Sequence, residues 1–177
     1  PTRAARRHGS PAPPSGPVIT YAPVPTLEIE VKLKVRDPKV IPALLAGLGA
    51  RLLYPREFED NVLYDFPDRP LVARGAMLRV RTTGRRTLLT YKDRGRVEGG
   101  LKVREEVEAE LAPAEGPPLV EILERLGMGV VFRYQKYRTT WEAEAVLVTL
   151  DETPIGDFLE LEGTREGIDA IASGLGY

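Results

Sequence analysis

Charged residues two apart in sequence mark the strand-like segments of this chain. Glu28 and Glu30 precede Lys32, Arg79 precedes Arg81, and Lys102 and Arg104 precede Glu106, Glu108 and Glu110. Lys136 with Arg138, and Glu160 with Glu162, repeat the spacing. In an extended strand, residues i and i+2 share a face. Like charges on one face repel unless something of opposite charge lies between them. Paired carboxylates suit a hard divalent cation such as Mg²⁺ or Mn²⁺. Paired Arg and Lys suit phosphate oxygens. Taken one strand at a time, these stripes read as solvated faces of an amphipathic sheet. Against that, the polar positions are nearly all charged, where an ordinary outer face mixes in Thr, Ser and Gln.

The elements that would carry these stripes are mostly strands. Leu27, Ile29, Val31, Leu33 and Val35 alternate with charged residues, which predicts a strand. Asp37-Pro38 opens a helix that carries Val40, Ile41, Leu44, Leu45 and Leu48 and stops near Gly49. Strands are expected at about 51–65, 77–83 and 86–92, with a hairpin turn at Thr83-Gly84-Arg85. Residues 101–111 alternate again, and 118–126 form a helix that ends at Gly127. Strands follow near 130–142, 145–151 and 157–162, and a last helix starts near Thr164. The pattern is α+β. Successive strands at hairpin spacing suggest an antiparallel barrel or strongly curved sheet with helices packed outside. A closed barrel would turn the stripes inward, and a polyphosphate–metal complex would satisfy both signs of charge in one cavity.

Composition narrows the chemistry. The 177 residues hold no cysteine and one histidine, His8, in a Pro-rich leader. Thiolate metal sites, cysteine nucleophiles and His-based triads are thereby disfavoured. Basic and acidic residues number 25 and 26, a balance that argues against nucleic-acid partners. No apolar run suggests a membrane span, and a soluble cytoplasmic protein is expected. Residues 1–26 are rich in Pro, Gly and Ser with Arg3, Arg6 and Arg7, and are expected to be a disordered leader before a domain at 27–177. There is no G-x-x-x-x-G-K-[ST] loop to explain phosphate binding.

Glu28-Ile29-Glu30-Val31-Lys32 resembles the N-terminal Glu-x-Glu-x-Lys strand of the CYTH superfamily, the triphosphate tunnel metalloenzymes. Leu78-Arg79-Val80-Arg81, Leu89-Thr90-Tyr91-Lys92, the Lys102–Glu108 run and Lys136-Tyr137-Arg138 are similar to its later strands, in order. Leu150-Asp151-Glu152 and the Gly156–Glu162 run resemble its closing acidic segment. The resemblance spans about residues 27–162 and implies an eight-stranded antiparallel closed barrel, the triphosphate tunnel. It implies metal ligands at Glu28, Glu30, Asp151, Glu160 and Glu162. It implies phosphate contacts at Lys32, Arg79, Arg81, Lys92, Lys102, Arg104, Lys136 and Arg138, with Lys32, Arg81 and Arg138 the candidate catalytic residues. Glu106 and Glu108 are either ligands or supports for the bases, and Lys34 and Arg36 are expected to reach solvent. Family members commonly continue through a helix into a further closing segment. This chain stops at Tyr177, so truncation or a different closure is expected.

The implied activity is metal-dependent, with Mg²⁺ or Mn²⁺, on a small-molecule triphosphate. Asp60–Pro67 and Leu89–Lys92 resemble class IV adenylate cyclases, which convert ATP to cyclic AMP and pyrophosphate. The alternatives are an inorganic or thiamine triphosphatase and a non-catalytic polyphosphate- or nucleotide-binding module. Tyr64, Tyr91 and Tyr137 are candidates to pack near a base, although tyrosine is more often a core residue. A homodimer is plausible from the resemblance.

Overall fold

The computed structural model describes residues 26–177. The expected leader, apart from Thr26, lies outside them. Among the described residues nine strands are present: β1 (Thr26–Val35), β2 (Arg51–Asp65), β3 (Met77–Thr82), β4 (Thr87–Lys92), β5 (Arg96–Glu98), β6 (Leu101–Leu111), β7 (Gly129–Ala143), β8 (Val146–Thr153) and β9 (Gly156–Glu162). The helices are α1 (Ile41–Gly47), α2 (Pro70–Ala73), α3 (Gly116–Arg125) and α4 (Arg165–Gly174). All strand pairs are antiparallel, in the order β1-β9-β8-β7-β2-β3-β4-β6. Pairing of β1 with β6 closes the ring at Glu28↔Arg104 and Glu30↔Lys102. Eight strands therefore form a closed barrel, as the resemblance implied, and β5 adds a short flap on β6.

The sequence boundaries shift at a few ends. The segment after Asp37 begins as a 3₁₀ turn at Pro38–Val40, with the Asp37 side chain accepting the Lys39 backbone N–H, before α1 starts at Ile41. Ala145, expected in a strand, sits instead with Glu144 in a left-handed two-residue turn, φ 62° and 48°. That is the hairpin geometry whose twist matches the flanking strands. The turn after β3 closes as expected, with the Thr83 backbone N–H donating to the Arg86 carbonyl at 3.0 Å. β5 and α2 were not expected; they are three and four residues long, too short to show a period.

Alternation fixes which side of the barrel each residue faces. The apolar side of each strand points outward, under the helices. One core joins Val35, Trp141, Val148, Leu159 and Leu161 to Ile41 and Leu45 of α1 and Ile168 and Ile171 of α4. A second joins Tyr64, Val80 and Met128 to Leu71 of α2 and Leu123 of α3. α4 lies so close to β8 that a Cβ on Gly167 would stand 2.7 Å from Val146 Cγ2. Most hydrophobic burial thus happens outside the sheet, and the interior carries the charges with a minority of apolar and aromatic side chains.

Candidate active site

The interior is a cavity of about 1420 Å³, open to solvent. β1 contributes Glu28, Glu30 and Lys32; β3, Arg79 and Arg81; β4, Lys92. β6 contributes Lys102, Arg104, Glu106 and Glu108; β7, Lys136 and Arg138; β8, Asp151; β9, Glu160 and Glu162. All eight expected phosphate-binding bases and all five expected acids therefore line one cavity. Lys34 and Arg36 do not.

Three groups of charge can be separated within it. In the first, Lys92 Nζ lies 2.5 Å from Glu28 and 2.7 Å from Glu106, and Arg104 reaches Glu28 at 2.6 Å and Glu30 at 3.1 Å. Lys102 also meets Glu30, at 3.0 Å. Burial opposes ionisation of Glu28, and Lys92 and Arg104 overcome it, holding the carboxyl below its ordinary value. In the second group, Arg138 binds Asp151 at 2.6 Å and also pairs with Glu160, while Lys136 meets Asp151 at 2.6 Å. Lys32 holds Glu160 from the other side, at 2.9 Å. Burial alone would raise the Glu160 pKa, but Arg138, Lys136 and Lys32 drive it well below the ordinary range. Burial and the nearby Arg138 bring Lys136 down to about 8.

The third group was not anticipated. Glu59 and Asn61, on the inner face of β2, are both buried. Glu59 lies 3.3 Å from Arg81, 3.6 Å from Lys136 and 3.9 Å from Arg138, and Asn61 accepts the Arg81 Nε–H at 2.9 Å. Burial, with Arg79 and Arg138 nearby, brings the Arg81 guanidinium down to about 10. The i, i+2 spacing of Glu57, Glu59 and Asn61 was the available signal. Pro55 and two shifts in register between Leu52 and Glu57 obscure it.

Two groups stand apart. Arg79 is buried and has no carboxylate partner among the described residues; it donates only to Thr90 and Tyr134, each at 3.4 Å, and its Nε–H is unpaired. A buried guanidinium left this way calls for an anion. Glu162 makes no salt bridge among the described residues; burial and the Glu28 carboxylate, opposed in part by Lys92 and joined by Glu106 and Glu30, push it up to about 7. A carboxyl crowded by carboxylates calls for a cation. With Glu28 and Glu30, it offers the hard oxygen ligands that Mg²⁺ or Mn²⁺ takes, so the donor chemistry fits a divalent ion. Among the described residues no three acidic side chains are yet gathered into a ready-made metal cluster.

The three tyrosines considered for a base contact do not face the cavity. Tyr91 alternates with Thr90 and Lys92, and Tyr137 lies between Lys136 and Arg138, so the strand pleat turns both outward. Tyr64 and Tyr91 join the second outer core, while Tyr137 packs edge-on against Phe58 beneath Arg56. The aromatic residues that do line the cavity are Tyr54, Phe132, Tyr134 and Phe158.

The CYTH domain model matches residues 26–175. The chain belongs to the CYTH family. This is a family of triphosphate-processing metalloenzymes that use divalent metal and bind triphosphate substrates in a tunnel. Among solved structures, the chain is similar to a candidate adenylate cyclase from Vibrio parahaemolyticus, at 20% identity and TM-score 0.71, over 85% of this chain and 89% of that one. It is similar to a candidate adenylyl cyclase from Hippeastrum with a dominant triphosphatase activity, at 21% identity and TM-score 0.66, over 84% and 85%. A Pyrococcus horikoshii OT3 protein aligns at 28% identity and TM-score 0.65, over 84% and 90%. No curated protein gives a significant match. Among the described residues no helix of this CYTH protein is long and apolar enough to cross a membrane.

Proposed function

We propose that this CYTH protein hydrolyses the terminal phosphate of a triphosphate compound in a divalent-metal-dependent reaction. One observation carries the reading: the eight expected bases and five expected acids face a single open cavity, and one of the buried cations, Arg79, lacks any carboxylate among the described residues. In this reading Arg79, Arg81, Lys136 and Arg138 hold the phosphate chain, with Lys32, Lys92, Lys102 and Arg104 around it. Glu28, Glu30 and Glu162 hold the metal, which when bound would neutralise phosphate oxygens and polarise the terminal phosphorus. Asp151 and Glu160 share the work of fixing Lys136 and Arg138 with Glu59, and they remain candidate ligands once phosphate takes over those cations. Water attacks the terminal phosphorus, the bond to the bridging oxygen breaks, and the diphosphate leaves with its charge met by the Arg and Lys side chains. Lys32, Arg81 and Arg138 are the residues expected at the reacting phosphate.

Hydrolysis asks the protein to hold only the phosphates and the ion. Cyclisation of ATP also needs the ribose 3′-oxygen held in line with the α-phosphorus. The cyclase reading is supported by the Asp60–Pro67 and Leu89–Lys92 segments and is the second choice. A non-catalytic module would bind without turnover. Incubation with Mg²⁺ or Mn²⁺ and, separately, ATP, tripolyphosphate and thiamine triphosphate separates the three. Orthophosphate release is the expected result. Cyclic AMP with pyrophosphate would replace this reading with the cyclase, and binding without any product would replace it with the module.

A further inference from the structure

Glu59 meets its cations differently from the other acids of the barrel. It sits on β2 directly opposite Lys136 of β7, and Asn61, two residues on, is opposite Arg81 of β3. Its carboxylate is framed by Arg81 at 3.3 Å, Lys136 at 3.6 Å and Arg138 at 3.9 Å. Those three cations line the cavity and Glu59 does not. It lies behind them and is 3% exposed.

Distance separates Glu59 from Asp151. Arg138 binds both oxygens of Asp151, at 2.6 and 2.7 Å, and Lys136 meets the same carboxylate at 2.6 Å. These are charge-assisted hydrogen bonds. Every Glu59 contact is longer, and its Oε2 has no hydrogen-bond donor among the described residues. Arg81 gives its Nε–H to Asn61 instead, at 2.9 Å. Charge, more than hydrogen bonding, ties Glu59 to the basic wall.

That charge matters most when the cavity is empty. Arg79 and Arg138 both lie close enough to repel Arg81. Cations buried together without a counter-charge would be strongly destabilising. A phosphate chain supplies a counter-charge from the cavity side. The cations can turn to it and give up no strong bond to Glu59. The carboxylate then stays behind them as a like charge to the phosphate and weakens the hold on it.

We infer that Glu59 is an internal stand-in for phosphate: it keeps Arg81, Lys136 and Arg138 assembled in the empty tunnel and, once phosphate is bound, loosens the grip so that the diphosphate product leaves. The inference rests on the proposed function. Glu59 is a positioning residue that acts through the three cations and touches neither substrate nor metal. A purely structural acid would weaken binding when lost. Loss of the Glu59 charge should tighten binding and slow turnover.

The test compares wild type, Glu59→Gln and Glu59→Asp in Mg²⁺. Pyrophosphate binding is measured by calorimetry, and melting is followed with and without pyrophosphate. Values of kcat and KM are taken for whichever triphosphate of the panel above the wild type hydrolyses. Glu59→Gln should melt below wild type when empty and gain more from pyrophosphate. It should bind pyrophosphate about tenfold more tightly, the effect of removing one like charge roughly 10 Å away at an effective dielectric near 20. Its kcat and KM should fall together. Glu59→Asp, which keeps the charge, should bind pyrophosphate as wild type does. Equal or weaker binding by Glu59→Gln, or a Glu59→Gln chain that stays unfolded even with pyrophosphate, overturns the stand-in. A wild type that hydrolyses none of the panel overturns the proposed function, whatever the binding comparison shows.

Discussion

Burial and the neighbouring Glu28 carboxylate push the Glu162 carboxyl up to about 7, above its ordinary 4.5. The folded protein thus holds this proton more tightly than the unfolded chain does. Below about pH 4.5 both states are protonated and the group contributes nothing to the difference. Between 4.5 and 7 the unfolded state releases its proton first, so stability falls as pH rises, and above 7 the penalty is constant. Discounted for partial exposure, that penalty is about 1–2 kcal/mol. Glu162→Gln should therefore melt higher than wild type at pH 8 in a chelator and show no gain at pH 4. Adding Mg²⁺ should shrink its advantage by stabilising the wild type more. A variant that melts lower at pH 8 in chelator would show that Glu162 already has a cation in the metal-free fold. At this scale the sequence was informative wherever charge alternated cleanly, as in β1 and β6. It hid Glu59, because Pro55 and a shifted register break the alternation of β2. It also invited attention to Tyr91 and Tyr137, although their odd positions beside Lys92 and Lys136 already put them on the outer face.

The elements hold the stripes in register by packing their apolar sides under helices. The clearest were legible because a two-residue period persists for six or more residues, as in β1 and β6. The exceptions are short and depend on contacts that sequence spacing does not display. α2 is one: its four residues are held by Asp65 at the end of β2, which is fully buried. The Asp65 carboxylate accepts the backbone N–H groups of Phe66 at 2.8 Å, Leu71 at 3.2 Å and Val72 at 3.0 Å. These bonds fix the connection that delivers β3, and with it Arg79 and Arg81, to the cavity. Asp65→Ala strands buried donors and is expected to cost about 2–3 kcal/mol in denaturant unfolding. Asp65→Asn, which keeps an acceptor oxygen, should cost less. Equal stability for wild type and Asp65→Ala would remove this role. β5 is the other exception. Its turn is tied to α4 by Arg165, which donates to the Glu98 carbonyl at 2.6 Å and to the Gly99 carbonyl at 3.2 Å.

For the whole molecule, closure matters most. Pairing of β1 with β6 across 70-odd residues is invisible to local periodicity, and from the residues alone an open curved sheet remained available. The charged stripes pointed toward closure, because a closed barrel lets paired acids and paired bases face one another across one cavity. The closed barrel pairs most of its lining charges; among the described residues that line the cavity, Arg79 is the cation without a carboxylate partner, and Glu162 and Glu108 are acids without a cation partner. Loss of Arg79 therefore separates a structural role from a ligand-binding one. Since it pairs with no carboxylate among the described residues, Arg79→Met should leave the melting temperature equal to wild type or raise it. The decisive measurement is the dissociation constant of tripolyphosphate with Mg²⁺ for wild type and Arg79→Met. The tunnel account predicts saturable binding at one site per chain, weakened at least tenfold in the variant while its fold is retained. Undiminished binding in a folded Arg79→Met, or no binding by the wild type, would contradict it.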